Sequence, residues 1–282
     1  MADVIFQKRT CLKSELFDTI VSILKGAGWE NVASNPATEY AVMKSTGESG
    51  DKNLVFQLRP ISNSNVNDTT TTDFNVMSIR LIAGYTPGVL GVDGVPARTI
   101  SAEPWRTFYI APTTTAINRE NELALWFSVN KDRLILIIET PSSLAFAPIT
   151  HYIGLPDVFS SEPDSRGLIW ASSAYNVSGS MVLVTDAVGE LPSNTASSTR
   201  SSYVTLPPSS PNSAGSHTPV IMFYGNATEG WRGRLDGLHF LPVNAVANGD
   251  TLTVGTKTFR GVVNGVAGAN SFVTSTLLFQ IK

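Results

Sequence analysis

Cysteine is nearly missing from this chain: Cys11 is the single one among 282 residues. No intramolecular disulfide can form, and no zinc site built on several thiolates exists. That usage suits a reducing compartment. Charge is scarce as well, at 15% of residues against roughly 25% in an average soluble protein. Twenty Lys and Arg face 23 Asp and Glu, for a net charge of −3. They form no basic cluster of the kind that grips phosphates, so no nucleic-acid partner is expected. No window approaches the roughly eighteen apolar residues of a membrane span, and no membrane association is expected. Met1 to Thr10 holds no apolar core of signal-peptide length. Ser, Thr, Asn and Gly, neighbouring subunits, or both must cover so weakly charged a surface.

The familiar chemical motifs are missing too. His151, His217 and His239 are scattered, with no HxxxH or HExxH. Ser178-Gly-Ser180 lacks the Gly-x-Ser-x-Gly frame of a hydrolase nucleophile. No P-loop or dinucleotide fingerprint occurs; the Gly88, Gly91, Gly94 series between Pro87 and Pro96 reads as a structural loop. Glu120 and Glu122 would share one face of a strand, and Glu162 and Asp164 flank Pro163. A glycosidase needs two carboxyls roughly 5–10 Å apart in a cleft. A chain with 23 acidic residues offers such pairs by chance, and solvated surface outweighs catalysis. No catalytic residue, metal or cofactor is expected.

What is present is β pattern. From Glu122, Leu123, Leu125, Phe127 and Val129 alternate with Ala124, Trp126, Ser128 and Asn130, the two-residue period of a strand. Asn130, Lys131 and Asp132 form turns readily, and Leu134 to Ile138 is an unbroken apolar run. Such a run predicts a strand buried on both faces. This hairpin is the expected centre of the sheet. Further strands are expected at 39–44, 54–59, 74–85, 106–111, 167–172, 179–185 and 220–224, then a hairpin at 250–263 turning at Gly255, and a last strand at 272–282. The first three of these suggest an antiparallel meander. Prolines at 141, 148, 156 and 163 argue against any long element there. One helix is expected from about Cys11 to Lys25, capped by Thr10, with Leu12, Leu16, Ile20, Ile23 and Leu24 on one face and Gly26 and Gly28 as its stop.

Residues 187–219 are packed with Ser, Thr, Pro and Asn and serve as a linker or a long loop. They divide a helix-plus-β region (1–186) from a C-terminal β unit (220–282), in one domain or two. Trp231, Arg232 and Arg234 are the candidate contact residues. An aromatic ring and arginines on one ribbon can stack on a sugar or seat in a protein groove. Alternatively Trp231 closes the edge of the core, and the arginines are solvated or paired with Asp236. Trp29, Trp105, Trp126 and Trp170 are expected in the core.

Several segments carry a resemblance. Gly28-Trp29-Glu30 is followed by Tyr40 to Arg59, with Ser45-Thr-Gly-Glu-Ser-Gly50 in its turn. The middle stretch, Leu125 to Pro156, runs through Asn130-Lys-Asp-Arg133 and Tyr152-Ile-Gly-Leu-Pro156, and Asp250 to Arg260 ends in Gly-Thr-Lys-Thr-Phe-Arg. Together they resemble virion structural proteins of contractile-tailed bacteriophages. The resemblance implies a non-enzymatic subunit of the neck, tail or baseplate, assembled in a symmetric ring with copies of itself and other virion proteins, and located in the virion. It transfers no catalytic residue. A carbohydrate- or receptor-binding tail module is the alternative, with a glycan hydrolase behind it. The expected fold is mainly β: an antiparallel sandwich or barrel-like structure with one N-terminal α-helix and a smaller C-terminal β unit.

Overall fold

A computed structural model describes residues 4–34, 40–60, 76–82, 106–110, 122–139, 148–158, 168–172, 182–186, 202–205, 220–226, 230–242, 246–247, 249–264 and 275–282. The chain opens with β1 (Ile5–Leu12), a 3-10 turn at Lys13–Glu15 and α1 (Leu16–Gly26). Then come β2 (Glu30–Asn31), β3 (Ala41–Ser45), β4 (Leu54–Arg59), β5 (Val76–Leu81) and β6 (Arg106–Ile110). Next follow β7 (Glu122–Val129), β8 (Arg133–Glu139), β9 (Ile149–Gly154), β10 (Asp157–Val158), β11 (Ile169–Ser172) and β12 (Val182–Asp186). The last part holds β13 (Ser202–Thr205), β14 (Val220–Asn226), β15 (Gly230–Pro242), β16 (Thr251–Val254), β17 (Lys257–Asn264) and β18 (Ser275–Gln280).

These strands make three antiparallel sheets. The central sheet has the order β1-β7-β8-β9-β11-β12. A second sheet is the meander β2-β3-β4-β5-β6, and the third has the order β13-β14-β15-β18-β17-β16, with β10 added on β15. The architecture is sandwich-like, and no sheet closes into a barrel among the described residues.

The run Leu134–Ile138 explains the layering. Leu134, Leu136 and Ile138 point to one core with Leu125 and Phe127 of β7, Met43 and Phe56 of the meander, and Ile20 and Leu24 of α1. Ile135 and Ile137 point the other way, to Leu235, Leu238, Val262 and Phe279 of the C-terminal sheet. A strand between two packed layers has no solvent face, so every position can be apolar. All five side chains are at most 1% exposed. Their burial contributes on the order of 10 kcal/mol of transfer free energy, at roughly 2 kcal/mol each.

Several expectations need correction. The helix does not begin at Cys11. Residues 5–12 form β1, whose backbone is paired to β7 from Ile5↔Val129 to Leu12↔Glu122. The Leu12 amide donates to Glu15 Oε2 at 3.1 Å, and no cap by Thr10 is involved. Strand β9 lies between Pro148 and Pro156, which bound it rather than break it. Part of the Ser/Thr-rich stretch, Ser202–Thr205, pairs with β14. The last strand, by contrast, is present as expected, as β18, held by β15 on one side and β17 on the other. Trp29 and Trp170 are buried as expected, but Trp126 is only partly so. Trp105 lies outside the described residues.

Candidate functional site

The three candidate contact residues sit on β15. Trp231 is opposite Gly225 and Arg234 is opposite Phe223 on β14. The side chains of Trp231 and Arg232 lie outside the described ones. Arg234 forms an ion pair with Asp157 of β10, with both side chains over two-fifths exposed. Arg234 is thus paired with Asp157 and not with Asp236, which was one of the two alternatives for the arginines. An exposed pair of this kind contributes little to stability.

Asp236 is held elsewhere. β15 departs from regular pairing there: His239 opposes Ile221, but the next partner of β14, Phe223, opposes Arg234. Residues Leu235 to Leu238 therefore bulge, and Gly237 takes φ +76°. That bulge receives Arg133, which begins β8 on the central sheet. Arg133 pairs with Asp236 Oδ2, and its Nη2 donates to Gln280 Oε1 at 2.8 Å. A Cβ at residue 237 would land on the Arg133 guanidinium, so the bulge needs glycine for space as well as for φ. Lys257 Nζ donates to Asp236 Oδ1 at 2.9 Å. Burial alone would raise the Asp236 pKa, but Arg133 and Lys257 outweigh it and hold the carboxyl below its usual range. His239, edge-on to Phe259 at 4.5 Å, is pushed down by burial and then by Lys257, against an upward pull from Asp236.

Arg133 closes the turn of the central hairpin, and that turn is densely bonded. The Asn130 amide donates to Arg133 O at 3.0 Å. Asn130 Oδ1 accepts from the amides of Asp132 and Arg133, both at 3.0 Å. Around this turn other segments close in. Trp29 Nε1, beyond the end of α1, donates to Asn130 O at 2.8 Å. In the β3–β4 turn, Ser45 Oγ donates to Lys131 O at 2.6 Å and Glu48 Oε1 accepts from the Lys131 amide at 3.0 Å. The Glu48 amide donates to Asp132 Oδ1, and the Leu155 amide, after β9, donates to Asp132 O at 3.0 Å. Every backbone N–H and C=O from Asn130 to Arg133 is thereby matched. Buried backbone polar groups require such matching. Gly28 at φ +87° and Gly154 leave room for Lys131 and Arg133 respectively. One turn is therefore tied to the meander, the helix end and the C-terminal sheet. Its backbone polar groups are saturated by the protein itself.

A different pattern surrounds Trp126. Lys8 Nζ lies 4.8 Å and Arg260 Cζ 4.5 Å from its ring centroid. Phe6 stacks on the ring at 6.1 Å and also meets Phe279 at 5.4 Å. Among the described residues the Trp126 N–H finds no acceptor. Sequence reading missed this cluster because Lys8, Trp126 and Arg260 are far apart in the chain and only the sheet packing joins them.

The remaining candidates separate. His151 is fully buried, stacked on Phe108 at 3.9 Å, and its Nδ1 accepts from Trp170 Nε1 at 3.2 Å. Burial lowers its pKa to about 3, against a smaller upward effect from a backbone hydrogen bond of Phe108. Burial also pushes the Cys11 thiol up, against a hydrogen bond from Thr19. Glu122 is exposed on β7. Glu120, Glu162, Asp164, His217, Ser178 and Ser180 lie outside the described residues. Among those described, no three His, Cys, Asp or Glu side chains gather as metal ligands, and no helix is long and apolar enough to cross a membrane. No family model and no curated protein matches the sequence.

Proposed function

We propose that the chain is a structural subunit of a contractile-tailed phage virion, in the neck, tail or baseplate, assembling as a ring with copies of itself and other virion proteins. One observation supports this reading above the others. Segments that resemble such proteins (Gly28-Trp29, Ser45 to Gly50, Asn130 to Arg133 and Gly154-Leu155) meet at a single turn. There they bond to one another, as parts of a joint rather than of a reaction centre. A joint that fixes three sheets suits a subunit whose shape must persist under load. The weakly charged surface fits contact with sibling chains.

The test is native mass spectrometry of the full chain, alone and co-expressed with the products of its neighbouring genes. Defined ring-sized species, alone or with a neighbour, are expected. A monomer in every combination would overturn the reading. The alternative of a carbohydrate-binding tail module centres on Trp231, and glycan binding lost on Trp231→Ala would favour it.

A further inference from the structure

We propose that the free edge of β1 takes up an extended acidic peptide as one more strand of the central sheet. Three observations lead there. First, β1 is eight residues long and paired to β7 along its whole length. Among the described residues no strand pairs with its other side. A long edge strand offers a row of unpaired N–H and C=O groups, which accept a strand from another chain. Gln7, Lys8, Arg9 and Thr10 are all exposed along it.

Second, the edge has one sign of charge. Ile5–Leu12 carries Lys8 and Arg9 and no acidic residue. Antiparallel pairing with a second copy would set like charges near one another across the new ladder, which is unfavourable. The occupant that fits is therefore acidic and not another β1.

Third, Lys8 on the β1 flank is poised but unbalanced. Lys8 lies opposite Trp126 in the β1–β7 register. Arg260 reaches the same ring from the C-terminal sheet. Neither makes an ion pair among the described residues. Side chains alternate along a strand. An added strand would present alternate carboxylates to Lys8, and its other side chains would lie on the side of Ile5 and of Arg9, which already donates to Ser22 Oγ. Ile5 is 37% exposed, the only exposed large apolar residue among those described. Carboxylates on one side and apolar residues on the other define the partner. Strand addition needs only this edge and its basic side chains, whether or not the chain belongs to a virion.

The experiment uses the full chain and a fluorescein-labelled octapeptide of alternating Glu and Val, read by fluorescence anisotropy at low salt. Saturable binding is expected, weakened at least tenfold by Lys8→Glu, with circular dichroism confirming that the variant folds. A peptide N-methylated at alternate residues should not bind, because it cannot complete the ladder. Absence of binding would overturn the proposal. So would equal binding of the N-methylated peptide, which would leave only a charge patch, or equal binding of an alternating Thr and Val peptide, which would remove the acidic requirement.

Discussion

The Asn130–Arg133 turn and the β1 edge lie on the same sheet and treat polar groups in opposite ways. At the turn, every backbone donor and acceptor is matched, half within the turn and half by other segments, and Arg133 is 4% exposed. At the edge, Lys8 rests over an aromatic ring and the side chains from Gln7 to Thr10 face solvent. Saturated polar groups make a joint, because each lost bond leaves a buried group unpaired. Unsaturated ones at a surface remain available to a partner. The contrast separates what holds this molecule together from what it can offer.

Breaking the joint should cost far more than altering exposed pairs. The largest effect is expected for Arg133→Ala, which leaves Asp236 with Lys257 alone and removes a buried stem. A loss of about 3 kcal/mol is predicted from urea denaturation, from the buried stem and the lost bond to Gln280, since Asp236 is partly exposed and keeps Lys257. A loss under 1 kcal/mol would place Arg133 with the exposed pairs and erase the distinction.

Acid should attack the interior next. Folded His151 takes up no proton until pH nears 3, whereas the unfolded chain binds one near 6.5. Protons therefore favour the unfolded state between these values. Stability should fall by about 1.4 kcal/mol per pH unit below 6.5, and His151→Gln should flatten that slope. Asp236 acts lower still: its depressed pKa gives stability that is present above the ordinary carboxylate value and lost as pH falls through the folded one. Thermal denaturation at stepped pH checks both.

Gly237→Ala should cost about 2 kcal/mol, from a left-handed backbone and displacement of the Arg133 guanidinium. The smallest effect is expected at Arg234→Ala. Its pair with Asp157 is exposed on both sides, and about 0.5 kcal/mol is predicted. A cost equal to that of Gly237→Ala would mean that exposure does not divide the two regions.

The central hairpin was legible in the sequence because an unbroken apolar run has only one easy home, between two layers. The start of the helix was not. Leu12 continues the helical stripe of Leu16 and Ile20, while in β1 only Phe6 and Cys11 mark inward positions, on opposite faces. Strand β9 was hidden by the prolines at its borders. The joint was invisible for another reason. Its acceptors include backbone carbonyls of Asn130, Lys131 and Asp132, met by Trp29, Ser45 and Leu155, and no residue type announces such a partner. Asp236 was singled out, but its partner Arg133 lies 103 positions away, across two sheets.

Hydrogen exchange of Asn130→Ala against the wild type tests most directly whether one turn couples three sheets. The variant removes the carbonyl that caps the Asp132 and Arg133 amides. Faster exchange is predicted together in the β3–β4 turn, at Trp29 and around Asp236 to Leu238. Acceleration confined to residues 130–133, with the other segments unchanged, would contradict the account.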